Sequence, residues 1–464
     1  MSAKLGDERK NINKIDFCVF MELKKCLIKG ERYMKKRIGI VMAALLLTSS
    51  VLAGCGSGGT SQNSDEGGKT KVTMAVWVSG AASRYDQIAE NFNKTHDDIE
   101  FTVEMQSGDY NQYLGNKKAA NDLPDLFYLS SFTQLQEFAA SGSLADLSDC
   151  AFADKIYDSA KAAVTYDDKI YGFPEMYEYW GILYNYDLFE QAGITEIPKT
   201  FDELKEVCEK LDAAGITPFS AMYKDAWVVG QEFCALQGGA IDNGNADAIQ
   251  EWISEINSGN GSFEVDGTDR VFEFIDLLKE YSGNNYMDAD SSTGYDTFAN
   301  EKAAMNFLSD AALIGVSNVT TDLDIGYFAV PMTDNPEDPQ LVGGPTNAIV
   351  VNEDSKNKEA AMEVLDWISS GEENSWLSIA EGYYGAPLAC LDYEAPEEVT
   401  SLRYYQDLMQ YINAGKTRST LFNELLTGAS DEIGNIVQGY YAWMKDKDRT
   451  LEELDSKFKE MAAQ

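Results

Sequence analysis

The pattern of apolar and polar positions divides most of the chain into alternating strand-like and helix-like segments. Short apolar and β-branched runs predict strands at Val72–Val78, Glu100–Met105 and Leu126–Leu129. Between them, apolar residues at helical spacing predict helices at Arg84–Asn93 and from about Tyr110 to Ala120. Strands that alternate with helices predict an α/β lobe with a mostly parallel sheet.

The same alternation continues through the middle and the end of the chain. Thr200, followed by Glu203, predicts a capping box at the start of a helix that ends near Ala214. The other predicted helices are Ala246–Ser258, Thr268–Ser282, Tyr295–Asn300, Lys358–Ser369, Glu373–Ala380 and the stretch after Pro387, and the other predicted strands are Ala303–Leu308, Ile325–Val330 and Ala348–Val351.

The length of the chain predicts two domains, and its charge argues against a nucleic-acid partner. A chain of 464 residues is longer than a single hydrophobic core usually serves, so we expect two domains. The formal charge of −40 repels nucleic acid, and we expect no nucleic-acid partner. A hydrophobic content of 44% is sufficient for a packed globular core.

Histidine and cysteine are used too sparsely for a common metal site. The chain has a single histidine, His96, and its seven cysteines form no C-x-x-C pair, so we expect no metal and no cofactor. Cys208 and Cys234 are predicted to be buried free thiols, and whether any of Cys150, Cys208, Cys234 and Cys390 form a disulfide stays open. G-x-S-x-G, H-E-x-x-H and Gly-rich phosphate-binding motifs are absent, so the sequence predicts none of the sites that these motifs form.

An apolar run from Ile38 to Val51 has the flanks of an export signal. Lys35-Lys36-Arg37 precedes it and Leu52-Ala53-Gly54-Cys55 follows it. Its 14 residues fall short of the roughly 20 that a transmembrane helix needs. The end of the run resembles the lipobox of bacterial lipoproteins, in which the cysteine thiol is joined to a diacylglycerol. This resemblance implies a signal peptide at residues 34–54 and a lipid on Cys55.

The segments on either side of this signal have separate interpretations. Residues 1–33 mix charges and do not fit an export signal, so we predict a mis-called start, with translation beginning at Met34. Residues 55–70 are rich in Gly, Ser, Asp and Lys and predict a flexible linker. The predicted mature protein is therefore tethered by lipid to the extracytoplasmic face of a cell membrane.

Short motifs follow one another in a fixed order along the rest of the chain. They are Ala75-Val76-Trp77, Asp122-Leu123-Pro124-Asp125-Leu126-Phe127, Lys169-Ile170-Tyr171-Gly172-Phe173-Pro174, Tyr184-Asn185-Tyr186-Asp187-Leu188-Phe189, Phe201-Asp202-Glu203-Leu204, Phe298-Ala299-Asn300-Glu301-Lys302-Ala303-Ala304-Met305 and Ser355-Lys356-Asn357-Lys358-Glu359-Ala360-Ala361. In this order they resemble the family 1 extracellular solute-binding proteins of carbohydrate ABC importers, which are related to maltose-binding protein.

The resemblance implies a periplasmic-binding-protein-like type II fold. Two α/β lobes would be joined by a hinge, with the ligand cleft between them and closure by rotation. Chain crossovers are expected near Tyr177–Trp180, Gly343–Thr346 and Tyr383–Pro387, where the periodic pattern also breaks. The expected boundaries are residues 71–178 and 346–384 for the N-lobe, and residues 179–345 and 385–464 for the C-lobe.

A sugar site needs groups that pair with hydroxyls and flat rings that cover C–H faces. Glu178 falls where the maltose-binding relatives place an acidic ligand contact, and Tyr179 and Trp180 beside it could stack on a sugar. At two turns where the family often carries Trp, this chain has Asp310 and Gly344 without the Trp. The full set of candidate ligand contacts is Ser79, Ser131, Phe132, Glu178, Tyr179, Trp180, Tyr223, Trp227, Asp310, Gly344, Tyr383 and Tyr384.

The function implied by the resemblance is that of a receptor. It would capture a sugar or oligosaccharide and deliver it to the membrane permease subunits of an ABC importer, without making or breaking a bond. Ligand contacts to both lobes would stabilise the closed form. Two alternatives stay open: the same fold with a non-sugar solute such as a peptide or polyamine, and a surface glycoside hydrolase that uses two carboxylates.

Overall fold

Two β-sheets with helices packed against them organise the described part of the chain. The computed structural model describes residues 68–77, 82–174, 177–241, 244–371, 375, 397–419 and 421–463. The predicted signal peptide, Cys55 and the predicted crossover at Tyr383–Pro387 lie outside these residues.

Thirteen strands lie within the described ranges. They are β1 (Thr70–Trp77), β2 (Ile99–Gln106), β3 (Leu126–Ser130), β4 (Thr165–Tyr166), β5 (Lys169–Ile170), β6 (Phe173–Pro174), β7 (Tyr177–Asn185), β8 (Thr217–Phe219), β9 (Ala303–Ser309), β10 (Ile325–Phe328), β11 (Leu341–Pro345), β12 (Asn347–Val351) and β13 (Thr417–Ser419).

The helices of the same ranges are numbered in chain order. They are α1 (Ala82–Thr95), α2 (Tyr110–Ala119), α3 (Thr133–Ala140), α4 (Asp158–Lys161), α5 (Tyr186–Gln191), α6 (Phe201–Ala213), α7 (Ala226–Ala240), α8 (Ala246–Asn257), α9 (Thr268–Tyr281), α10 (Ser291–Ala299), α11 (Ala312–Ser317), α12 (Lys358–Ser369), α13 (Glu397–Thr400), α14 (Arg403–Asn413), α15 (Ala429–Tyr441) and α16 (Lys447–Met461).

The first sheet has the strand order β2-β1-β3-β12-β6. β1 runs parallel to β2 and β3, as the strand and helix alternation predicts. β12 is antiparallel to both β3 and β6, so the prediction of a mostly parallel sheet is wrong for this half. The physical reason is that β12 arrives directly from the second sheet rather than through a helical crossover. This sheet, with α1–α4 and α12, forms a core around Phe92, Phe127 and Val350 and is called the first lobe.

The second sheet has the order β13-β11-β7-β9-β8, with β10 also paired to β7. Its central strand β7 is antiparallel to β11, β9 and β10. Successive β7 residues point to opposite faces. Trp180 and Ile182 therefore enter one core, while Tyr179 and Leu183 enter another on the other side. This sheet and the helices that cover both of its faces are called the second lobe.

Most predicted elements agree with the structure, whereas several observed elements were not predicted, among them β7, β11, α3 and α7. The capping box is confirmed, since the Thr200 side chain accepts from Glu203 N–H and Glu203 caps the Thr200 backbone. The α7 helix was missed because residues on all its sides are buried, which removes the one-sided apolar stripe of an amphipathic helix. The prediction of an all-helical end after Pro387 is wrong, because β13 adds a strand beside β11.

Two glycines let α7 and α15 approach each other closely. A Cβ on Gly230 would lie 1.8 Å from the Ser430 carbonyl oxygen, and a Cβ on Gly434 would lie 1.8 Å from the Ala226 carbonyl oxygen. Real Cβ atoms do not come this close to backbone, so any side chain would force the two helices apart. The pair packs much of the core of the second lobe.

We therefore predict that Gly434→Ala lowers the free energy of unfolding by about 1–3 kcal/mol, the typical cost of overpacking a core. Gly115→Ala in α2 is the matched control, because a Cβ there meets nothing within 4 Å. The control should gain about 0.5–1 kcal/mol, since alanine is the better helix former. Urea denaturation of the purified variants measures both values, and equal stabilities would contradict the packing assignment.

Candidate functional site

The chain crosses between the two sheets at two places that lie side by side. β6 of the first sheet precedes β7 of the second, and Thr346 alone separates β11 of the second sheet from β12 of the first. β7 and β11 pair as antiparallel strands, with Glu178 opposite Gly344 and Tyr177 opposite Pro345. Two predicted crossovers thus come together at one point, while the predicted lobe boundaries stay predictions.

Glu178 joins the two crossovers through its side chain. Its Oε1 accepts a hydrogen bond of 2.7 Å from the Thr346 hydroxyl, and the Ser309 hydroxyl donates to the same carboxyl group. Glu178 is buried, and burial raises the pKa of its carboxyl above the ordinary value. The residue therefore lies at the predicted place, with its carboxyl group bonded to protein hydroxyls in this structure.

Asp310 lies beside Glu178 and is completely buried. Its Oδ1 accepts from Tyr179 N–H at 3.1 Å, and its Oδ2 accepts from the Tyr404 hydroxyl at 3.0 Å. Burial, and then the charge of Glu178, raise the pKa of Asp310 to about 8. Asp310 is thus a largely neutral acid at pH 7, and it connects the end of β9 with β7 and α14.

Ten buried side-chain atoms have no hydrogen-bond partner among the described residues, and two of them belong to residues close to the crossovers. These two are the Ser131 hydroxyl at the end of β3 and the indole N–H of Trp180 in β7. Ser131 and Trp180 are 0% and 1% exposed. A buried polar atom without a partner costs about 1–3 kcal/mol, so such atoms point to a role that protein packing does not supply.

The surroundings of these groups define the seam between the lobes, which consists of Ser131, Glu178, Trp180, Thr346, Phe422 and Asn423. The Thr346 carbonyl oxygen accepts from both Ser131 N–H and Asn423 Nδ2, each at 3.0 Å. The ring of Phe422 packs edge-on against Trp180, with centroids 4.9 Å apart. The seam thus combines hydrogen-bonding groups from both lobes with aromatic rings.

Two other predicted contacts border the seam. Phe132, directly after Ser131, has a φ of 61°, a backbone conformation that bulky residues rarely adopt. Strained residues of this kind cluster at functional sites. Tyr179 lies on the opposite face of β7 from Trp180, and its ring packs 5.0 Å from that of Tyr177.

The remaining predicted contacts are dispersed. Tyr223 is 1% exposed and stacks 4.5 Å from Tyr441 inside the second lobe, so its ring offers no surface to a ligand in this structure. Trp227 is half-buried and packs against the core on the Tyr179 side of the sheet. Gly344 lies in β11 opposite Glu178. Ser79, Tyr383 and Tyr384 lie outside the described residues.

Sequence reasoning missed three members of the seam. Thr346 lies within a predicted crossover, but nothing marked its hydroxyl as the partner of Glu178. Phe422 and Asn423 lie in a region predicted to be helical. A break in helical periodicity near Thr417, where Lys416-Thr417-Arg418-Ser419-Thr420 has no apolar residue, was the available signal that a strand and a turn precede them.

The described residues contain neither a metal-binding cluster nor a helix suited to cross a membrane. Within those ranges, no three histidine, cysteine or acidic side chains converge as a metal site would require. No helix there is both long and apolar enough to cross a bilayer. Cys208 and Cys234 are buried free thiols, as predicted, and Cys150 is a half-buried free thiol.

The family model for bacterial extracellular solute-binding proteins matches residues 78–374, which is more than half of the chain. The chain therefore belongs to this family, and it is an extracytoplasmic solute-binding protein. The two sheets joined by adjacent crossovers agree with the periplasmic-binding-protein-like type II fold that the sequence predicts.

Individual relatives are similar at modest identity. The diacetylchitobiose binding protein DasA of Streptomyces coelicolor is 26% identical over 365 residues, which is 75% of this chain and 81% of DasA. A solved chitin oligosaccharide binding protein is 21% identical, with a TM-score of 0.71, and the match covers 85% of this chain and all of that one. RafE in complex with raffinose is 21% identical, with a TM-score of 0.70, over 84% of this chain and all of RafE.

The state of Asp310 predicts a pH dependence of stability. Between about pH 4, where a carboxyl of the unfolded chain ionises, and about pH 8, the folded state holds a proton that the unfolded state has lost. The free energy of unfolding should therefore fall as pH rises through this window, by at most about 1.4 kcal/mol per pH unit. Asp310→Asn should reduce this slope, because the amide stays neutral and can still accept from Tyr179 N–H.

Urea denaturation at several values between pH 5 and pH 8 measures the slope. Asp97→Asn, at an exposed position, is the control and should leave the slope of the wild type unchanged. A slope for Asp310→Asn that equals the wild-type slope would mean that Asp310 is ionised in the folded protein.

Proposed function

We propose that this protein is the carbohydrate receptor of an ABC importer. A sugar or oligosaccharide binds between the lobes, the closed form is stabilised by contacts to both, and the ligand passes to membrane permease subunits. No bond is made or broken, so the protein is not an enzyme. The observation that carries the proposal is the seam, where two unpaired buried polar groups lie beside aromatic rings.

The chemistry of the seam suits a carbohydrate better than a cationic solute such as a polyamine. A sugar hydroxyl both donates and accepts, so it could pair with the Ser131 hydroxyl and with the Trp180 indole N–H. The indole N–H can only donate a hydrogen bond, and a cation offers no acceptor for it. The relatives support the same class, because DasA is named for diacetylchitobiose and the solved neighbours for chitin oligosaccharide and raffinose.

The proposed ligand contacts follow from this assignment. Ser131 and Trp180 provide the hydrogen bonds, Phe132 and Tyr179 border the site, and Glu178 holds the crossovers together beneath it. Asp310 supports Tyr179 rather than the ligand, because both its carboxylate oxygens are bonded to protein groups. Trp227, Ser79, Tyr383 and Tyr384 stay candidates for the outer parts of a longer ligand, and Tyr223 acts in packing.

We also propose that Cys55 carries the lipid anchor and that residues 34–54 are removed as the signal peptide. The support is the basic, apolar and small-residue pattern that ends in Leu52-Ala53-Gly54-Cys55. Cys55→Ala should release the protein from the membrane fraction of the native cell, whereas Cys150→Ala should not. Retention of the Cys55→Ala protein with its signal peptide removed would contradict the anchor.

Isothermal titration calorimetry against a glycan panel tests the proposed function. The panel contains chitin oligosaccharides, raffinose-family sugars, malto-oligosaccharides and xylo-oligosaccharides, with peptides and polyamines as non-sugar arms. We expect saturable binding of at least one glycan, and no new products by chromatography after prolonged incubation. Binding of a peptide or polyamine alone would reject the carbohydrate assignment, and turnover of any glycan would reject the receptor.

Ser131→Ala gives a sharper test of the seam, because the substitution should weaken glycan binding without lowering the stability of the protein. Removing a buried hydroxyl that has no protein partner should leave the unfolding free energy unchanged or raise it. The same change should weaken glycan binding about 3- to 10-fold if the hydroxyl pairs with the ligand. Ser220→Ala is the control, since its buried hydroxyl is already bonded to Met305 O. Unchanged affinity in Ser131→Ala would remove Ser131 from the site.

A further inference from the structure

One segment of the second lobe makes hydrogen bonds to the first lobe beside the seam. It runs from Leu421 to Gly428, between β13 and α15, and is called the clasp. Leu421 and Leu425 are each 1% exposed and belong to the core of the second lobe. The side chain of Asn257 donates to Glu424 O at 2.8 Å, and that of Gln250 donates to the Glu424 carboxylate at 2.7 Å. The clasp is therefore held firmly by its own lobe.

Its other side contacts the start of α3 in the first lobe. Thr133 donates twice, from its N–H to Asn423 O at 3.2 Å and from its hydroxyl to Glu424 O at 3.1 Å. The Thr427 hydroxyl donates to Glu137 Oε2 at 3.0 Å. Three hydrogen bonds thus join elements of different lobes that are about 290 residues apart in sequence.

The clasp contacts α3 at its N-terminus, where the helix dipole places a partial positive charge. The first N–H groups of α3 have no partner within the helix, and its N-cap residue, Phe132, gives no side-chain hydrogen bond. Carbonyl oxygens of the clasp supply acceptors at this partly positive end. Asn423, the residue that accepts from Thr133, also donates to Thr346 O in the second crossover. The clasp therefore contacts both the start of α3 and the second crossover.

We propose that the clasp sets the affinity of the receptor by stabilising the closed arrangement of the lobes. Resting on the proposed function, this assigns Thr133, Asn423 and Thr427 as positioning residues that act on the ligand through closure. A rotation about the two crossovers that moved α3 away from the clasp would break the bonds from Thr133 to Glu424 and from Thr427 to Glu137. These bonds would then favour the arrangement in which the lobes are together. Any interaction present in one state alone shifts the equilibrium between the two states.

Substitutions of the two threonines test the proposal. Thr133→Val and Thr427→Val remove the hydroxyls while keeping the branched shape, and each should weaken binding of the glycan identified by calorimetry about 2- to 10-fold. Thr297→Val is the matched control, because its hydroxyl bonds only within α10, to Thr293 O. Thermal unfolding verifies that each variant is folded.

A second readout separates failure of the clasp from failure of the proposed function. Small-angle scattering gives the radius of gyration of the wild type and of the Thr133→Val/Thr427→Val double variant. If the wild type binds a glycan, equal dissociation constants for wild type and double variant overturn the clasp. If no glycan binds, the proposed function fails, and the clasp is then judged by scattering alone: a larger radius in the double variant supports it, and an equal radius overturns it.

Discussion

The pairing of the two chain crossovers is the constraint on which the rest of the structure depends. β7 and β11 run antiparallel where they leave the second sheet, and the bond from the Thr346 hydroxyl to Glu178 fastens them at the exit. This pairing also explains why β11 carries glycine. A Cβ on Gly343 would lie 2.6 Å from the ring of Tyr179, and that ring shares the space over β11 with Tyr177. The tyrosines occupy the space, so no side chain fits there.

A consequence of this arrangement is a pair of buried carboxyl groups. Glu178 and Asp310 lie close enough for the charge of one to raise the pKa of the other. Burying two acids lowers stability at neutral pH, yet Asp310 holds β7, β9 and α14 in register through Tyr179 and Tyr404. Hydrogen bonds to Glu178 and Asp310 thus hold the strands in place where the chain crosses between the sheets.

Local signals in the sequence predicted the features that depend on neighbouring residues. The capping box at Thr200 needs only two side chains three residues apart, and the crossover at Gly343–Thr346 was marked by glycine and proline. The α7 helix left no such signal because every side of it is buried. The burial of Tyr223 could not be predicted from the sequence either, because an aromatic residue after a strand can face the cleft or the core equally well. Contacts such as that of Thr133 with Glu424 join residues far apart in the sequence, so no local pattern predicts them.

The seam between the lobes is the proposed binding site for a carbohydrate. A crystal structure of the protein with the glycan that binds most tightly would test it directly. We expect glycan oxygens to lie within hydrogen-bond distance of both Ser131 Oγ and Trp180 Nε1, between the two lobes. A glycan bound elsewhere, with both of these atoms still unpaired, would contradict it.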